Sequence, residues 1–244
     1  SPTWDAGGAS RAISHVGRRL RRRAISHVEC RPRDRAPSPR VDPPRGMGLA
    51  APSHRRKLRG MDAAHRFLFV LGSTRVGGNS ERLARAAATH LPPGATARWE
   101  RLIDDPLPPF FDTRHTTGYA APGGAGLRWV EATLAATDLV IVTPVNWYSV
   151  AWPVKLYLDH MSGWMRVPEL AFAKTMAGRS LWAVVVDSDD EAAGTAAPVV
   201  DALRRTADYL DMRWRGALLG HANRPGEIAA DQAALAAATT FFAA

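Results

Sequence analysis

Phe67-Leu68-Phe69-Val70-Leu71 is a short apolar run that ends in Gly72-Ser-Thr-Arg-Val-Gly-Gly-Asn-Ser-Glu81. Directly after it, Leu83, Ala87 and Leu91 recur at a spacing of four. The first stretch has strand character and the last is one face of a helix. A strand, a glycine loop and a helix in such close succession commit the chain to a βα unit. They also put a helix N-terminus at the end of a buried strand. That is a seat for phosphate: glycines let the backbone approach, first-turn N–H groups and Ser/Thr hydroxyls donate, and Arg75 offers a bidentate cation.

The loop has no Lys-Ser/Thr after its glycines, so it is not a Walker A loop, and it lacks the G-x-G-x-x-G dinucleotide pattern. A hydroxyl-rich loop for one terminal phosphate suits a mononucleotide such as FMN. The plain alternative is a strand–helix turn capped by Ser or Asn.

Charge divides the chain. Residues 1–60 carry 15 Lys/Arg and 4 Asp/Glu, whereas 61–244 carry 17 and 19. The whole-chain charge of +9 therefore belongs to the first segment and says nothing about the rest. That segment is rich in Arg, Pro, Gly and Ala, and Arg11-Ala-Ile-Ser-His-Val16 recurs as Arg23-Ala-Ile-Ser-His-Val28. It reads as a disordered basic extension over 1–60, followed by one folded domain over 61–244. A tail for nucleic acid or anionic membranes, or an Arg-rich targeting presequence, are the other readings of it. The single cysteine, Cys30, excludes a disulfide framework or an all-cysteine metal site within one chain. No apolar run in the domain approaches the roughly 18–20 residues of a membrane span. A soluble, cytoplasmic protein is expected.

Further along, residues 95–103 hold a weaker strand, and Asp104 to Asp112 a proline-rich loop that is either a wall of a site, an oligomer contact or a stiff connection. Leu127, Val130 and Leu134 mark a second helix face. Leu139-Val-Ile-Val-Thr143 reads as a central parallel strand buried on both sides. It runs into Pro144-Val-Asn-Trp-Tyr-Ser-Val-Ala-Trp-Pro153, followed by a helix carrying Val154, Leu158 and Met161. Ser180–Val186 is a further buried strand, leading into an acidic stretch from Asp187. Val199, Leu203, Ala207 and Leu210 form a helix face, Trp214–Leu219 a fifth strand, and Ile228, Leu235 and Phe242 stripe a helix reaching the chain end.

Five strands alternating with five helices imply an α/β, doubly wound five-stranded parallel sheet with helices on both faces. The simplest order is 2-1-3-4-5, whose connections reverse between strands 1 and 3, where ligands bind. Loops 72–80 and 144–152 flank that crevice. The second offers Trp147, Tyr148 and Trp152 beside turn residues Pro144 and Asn146. Turn backbone groups can read the polar edge of a flat heterocycle while aromatic side chains pack on its ring. Core or interface packing is the other reading of the aromatics, most readily of Trp152.

Gly72-Ser-Thr-Arg-Val-Gly-Gly-Asn-Ser80, Thr143-Pro-Val-Asn-Trp-Tyr-Ser149 and Leu158-Asp-His160 together resemble the flavodoxin-like NADPH-dependent FMN reductase family, which includes azoreductases and quinone reductases. The resemblance covers about 64–244. It implies that Ser73, Arg75, Asn79 and Ser80 bind the FMN phosphate. It implies that Pro144, Val145, Asn146, Trp147, Tyr148 and Ser149 bracket the ribityl chain and isoalloxazine. The family also uses the loop here containing Asp187 and Ser188, which departs from the usual glycine-rich character by being acidic. With Cys30 alone, the iron–sulfur branch of the wider family is excluded. Homodimers or homotetramers are implied, with Trp152–Trp164 and 106–112 as contact regions.

The expected activity is an FMN-dependent oxidoreductase that passes a hydride from NAD(P)H through FMN to a small acceptor such as a quinone, an azo compound or a flavin. The flavin carries the difficult chemistry, so no proton-transfer residue and no metal site are assigned. His160 reads as a structural or interface residue. The alternative is a flavodoxin-type electron carrier serving a protein partner. Neither membrane nor nucleic-acid binding is expected of the domain.

Overall fold

A computed structural model describes residues 65–188 and 192–243. The basic extension expected over 1–60 lies outside the described residues.

Five parallel strands form the centre: β1 (Arg66–Leu71), β2 (Thr96–Arg101), β3 (Asp138–Asn146), β5 (Ser180–Asp187) and β6 (Arg213–His221). Their spatial order is β2-β1-β3-β5-β6, and a two-residue strand β4 (Ser149–Val150) pairs antiparallel with the end of β3. Leaving out β4, this is the expected 2-1-3-4-5 arrangement. The reversal falls between β1 and β3, which are in direct register from Phe67↔Asp138 to Leu71↔Val142.

Strand side chains alternate between two cores, as a period of two requires. Leu68, Val70, Leu139, Ile141, Leu181 and Ala183 face α2 (Gly124–Ala135), α3 (Trp152–Trp164) and α5 (Ala192–Tyr209). Phe67, Phe69, Val140, Val142, Trp182 and Val184 face α1 (Asn79–Ala88) and α6 (Gln232–Ala238). A short helix α4 (Phe172–Met176) buries both its ends in the first core. Both sheet faces are therefore dry, which is why β1, β3 and β5 read as nearly unbroken apolar runs. The weak strand β2 is held by Trp99, which stacks on Phe69 at 3.9 Å between ring centres under the Arg85 guanidinium.

Two expectations shift. On α2 the buried face is Trp129, Val130 and Thr133, while Leu127 is exposed. Trp129 wins because its ring fills the core and its indole N–H donates to the Asp105 carbonyl at 2.8 Å. The C-terminal stripe is not one helix but a 3₁₀ turn (Glu227–Ala230), α6 and a second 3₁₀ turn (Phe241–Ala243). Asp231 causes the first break: its carboxylate caps α6 through the Ala234 N–H and also accepts the His221 N–H at the end of β6.

The bottom of the sheet is tied by Asp138, buried at the start of β3. It accepts hydrogen bonds from His65 (2.8 Å), Thr137 (2.7 Å) and the Trp182 indole (3.1 Å). Burial alone would raise its pKa; the Thr137, His65 and Trp182 contacts outweigh it and hold the carboxyl below its ordinary 3.8. A depressed carboxyl stabilises the fold above its unfolded pKa, and that stability is lost as pH falls through the folded value. Asp138→Asn should cost about 1–3 kcal/mol at neutral pH. It should also flatten the decline in urea midpoint below pH 4, and an unchanged acid limb would refute the assignment.

Candidate functional site

Gly72 follows β1 and donates its N–H to the Val142 carbonyl at 2.8 Å. A Cβ at this position would lie 2.1 Å from Val154 Cγ2, so only glycine lets the chain leave the sheet this close to α3. The loop then turns back through Gly77, whose φ of +62° lies in the left-handed region. The N-cap of α1 is Gly78, and no side chain caps it. Its first-turn N–H groups are thus turned to a cleft lined by Ser73 to Ser80.

Ser73 and Ser80 are buried polar residues of this loop, and the Ser73 Oγ accepts the Arg75 N–H at 3.1 Å. The Arg75 side chain is exposed, and among the described residues no carboxylate pairs with it. Asn79 sits otherwise than expected. Its side chain donates to the Arg224 carbonyl (2.9 Å) and accepts the Gly226 N–H (2.8 Å). It thereby latches the loop after β6 onto the start of α1.

The opposite wall is the end of β3. Asn146 pairs with Ser149 and Val145 with Val150, so Trp147 and Tyr148 form a two-residue hairpin turn. Both have positive φ, 51° and 58°. This is the backbone of a turn that ordinarily takes Asn-Gly, and two bulky aromatics there carry strain. Packing does not repay it, because Trp147 is 95% exposed. The hairpin base is closed by the buried Thr143 hydroxyl, which accepts the Ala151 N–H at 3.0 Å.

Between the walls lies a cavity of about 590 Å³, lined by Ser73–Ser80, Pro144–Asn146, Val186–Ser188, Ala222, Asn223 and Pro225. It adjoins a hollow of about 360 Å³ bounded by Val145, Trp147, Tyr148, Asp187, Ser188 and Thr195. Nine of the ten residues singled out in the sequence thus converge on one cleft; Ser149 lines neither part. The cleft opens at the crossover between β1 and β3.

Several contributors escaped sequence reasoning. Loop 222–226 forms a third wall, and its Asn-Arg-Pro-Gly turn directly after a strand was the available signal. Glu81 and Arg101 lie beneath loop 72–80. Glu81 accepts the Gly77 N–H at 2.9 Å and the guanidinium groups of Arg101 and Arg85, each at 2.7 Å. Burial by itself raises the Glu81 pKa; the Arg101 and Arg85 bonds and the Gly77 N–H reverse this and hold the carboxyl below its usual range. Asp187, in the acidic loop that the family resemblance already points to, is buried at the end of β5, with its carboxylate 3.7 Å from the His221 Nδ1.

The proline-rich loop lines neither part of the cleft. Instead it packs on α3: the Pro108 carbonyl meets His160 Nε2 at 2.8 Å, and Phe110 contacts the His160 and Tyr119 rings. His160 lines neither part of the cleft and contacts this loop instead. Among the described residues no group of three or more His, Cys, Asp or Glu side chains could hold a metal ion, and no helix is long and apolar enough to cross a membrane.

Known proteins share this architecture. The sequence pattern of the NADPH-dependent FMN reductase family matches residues 65–215. YwqN of Bacillus subtilis (strain 168), provisionally described as an NAD(P)H-dependent FMN-containing oxidoreductase, is 29% identical over 172 residues, 70% of this chain and 92% of its own. Among solved structures, the Trp repressor binding protein of Bacillus subtilis is similar with a TM-score of 0.58 at 24% identity, covering 72% of this chain and 96% of that one. An azoreductase of Bacillus anthracis str. Sterne gives a TM-score of 0.51 at 14% identity, over 72% and 99%. These last two share the flavodoxin-like fold. With the match running from β1 to the start of β6, the chain belongs to the NADPH-dependent FMN reductase family, oxidoreductases whose cofactors are FMN and NAD(P)H.

Proposed function

We propose that the cleft between loops 72–80 and 144–149 holds FMN, and that the protein passes a hydride from NAD(P)H through it to a small, flat acceptor such as a quinone, an azo compound or a flavin. The observation that carries this reading is an uncapped helix N-terminus on a cavity that adjoins a hollow walled by two strained aromatics. Its volume falls within the roughly 300–1,000 Å³ typical of cofactor sites. The residues present suit the group. Ser73, Ser80, the first-turn N–H groups and Arg75 suit a phosphate dianion. Asn79 takes part through its backbone, since its side chain is engaged with loop 222–226. Pro144 to Asn146 suit the ribityl chain and the ring edge, and Trp147 and Tyr148 the ring face or a stacked nicotinamide.

Bound FMN supplies the hydride-accepting and hydride-donating chemistry. The chain's task is to fix one ring, leave its other face open to two successive partners, and keep the phosphate anchored between turnovers. An open hollow beside Trp147 and Tyr148 favours alternating small molecules over a protein docking partner. By the same reading the protein is a homodimer or homotetramer, with exposed Phe111 and Trp152 among its contacts.

The direct test is the visible spectrum of the full chain loaded with FMN, followed anaerobically on adding NADPH and then NADH. Rapid bleaching by either is expected and identifies the preferred donor. A flavin that is retained yet bleached by neither would favour the electron carrier, and protein that takes up no FMN would overturn the cleft assignment.

A further inference from the structure

We infer that the buried Glu81–Arg101 pair is a positioning device that makes this cleft select a phosphorylated flavin over its unphosphorylated form. The inference rests on the cofactor reading above and names residues that touch no ligand in it. Glu81 and Arg101 are hidden, with side chains 6% and 8% exposed. Glu81 Oε1 serves Arg85 and Arg101 also lies 3.6 Å from Asp104, while their remaining bonds lead to the turn at 75–77. Glu81 Oε2 takes both the Gly77 N–H and Arg101, and a second Arg101 nitrogen donates to the Arg75 carbonyl at 3.1 Å. The turn that carries the Arg75 side chain is thereby held at one end by Arg101 and at the other by Glu81, through a single ion pair.

The arrangement resembles a capping box displaced by one residue: the acidic side chain on the third helical residue reaches back past the N-cap Gly78 to Gly77. The N-cap Gly78 has no side chain to cap the N–H groups of the first turn, which leaves them for a ligand. A carboxylate beneath a phosphate seat is repulsive unless neutralised, and here Arg85 and Arg101 occupy its two oxygens separately. The pair thus sets geometry without presenting net negative charge to the anion.

Two views predict opposite signs for Glu81→Gln. If the carboxylate acted only through its charge, removing it would tighten binding of FMN. If it positions the loop, FMN should weaken by about tenfold while riboflavin, which has no phosphate, stays within about twofold. Both dissociation constants are measured by flavin fluorescence quenching on the flavin-free full chain, with amide exchange at Gly77 and Gly78 followed alongside. Faster exchange there, with β1 and β3 unchanged, is the expected companion result. Arg101→Met breaks the pair from the other side and should show the same selective loss, which covers a Gln variant that fails to fold. Equal weakening of both flavins, tighter FMN, or no change overturns the inference. Wild-type protein that binds neither flavin overturns the cofactor reading, and the inference with it.

Discussion

Replacing Arg75 by alanine is expected to weaken FMN binding by about 100-fold and leave the fold intact. The magnitude follows from the roughly 1.5–3 kcal/mol of a hydrogen bond to a charged group, at the upper end for a bidentate guanidinium–phosphate contact. The fold should survive because the Arg75 side chain is exposed and makes no hydrogen bond or ion pair among the described residues; its backbone carries the loop contacts. The melting temperature should therefore stay within about 2 °C of the parent, less than 1 kcal/mol shifts it in a domain of this size. Riboflavin affinity should be nearly unchanged. A variant retaining full FMN affinity would remove Arg75 from the phosphate site.

Changing Trp147-Tyr148 to Asn-Gly should stabilise the protein while impairing it. Both residues hold positive φ in a two-residue hairpin, a backbone that Asn-Gly adopts readily. Non-glycine residues there cost of order 1–3 kcal/mol each. Allowing for the greater unfolded-state freedom of glycine, a net gain of about 2 kcal/mol is expected. That corresponds to roughly 4–8 °C in melting temperature. Loss of the two aromatic faces should lower the rate of flavin bleaching by NAD(P)H about tenfold, since stacked aromatic contacts contribute of order 1 kcal/mol each. A double variant that is less stable, or one that turns over normally, would show that strain at Trp147 and Tyr148 does not serve function.

These two loops were legible in the sequence because their signals are local. Glycine, hydroxyl and arginine between an apolar run and a periodic segment already describe a helix N-terminus at a strand end. The residues from Thr143 to Ser149 lie on one strand and its turn. The parallel order followed from alternating elements and crossover handedness, and the crevice between β1 and β3 followed from that order. Helix phase was less legible. Gly126, Leu127, Trp129, Val130, Ala132 and Leu134 place apolar or small residues around most of α2, so periodicity alone did not choose the face, and the Trp129 indole bond to Asp105 did. Asp231, read within one continuous helix, breaks it because its carboxylate serves two backbone donors at once.

The alternation of elements, the glycine–hydroxyl loop and the aromatic turn are written in the residue order, since each depends on neighbours within a few residues. What holds them in place is set by packing between distant segments. Asn79 meets Arg224 and Gly226 across about 145 residues of chain, and Arg101 reaches Glu81 and Arg75 from the end of a different strand. Such partners leave no periodicity, because a single polar contact between distant segments needs one residue of the right type at each end and nothing in between. They become visible once the packed sheet brings the loop ends to one edge and burial requires every polar group there to find a partner.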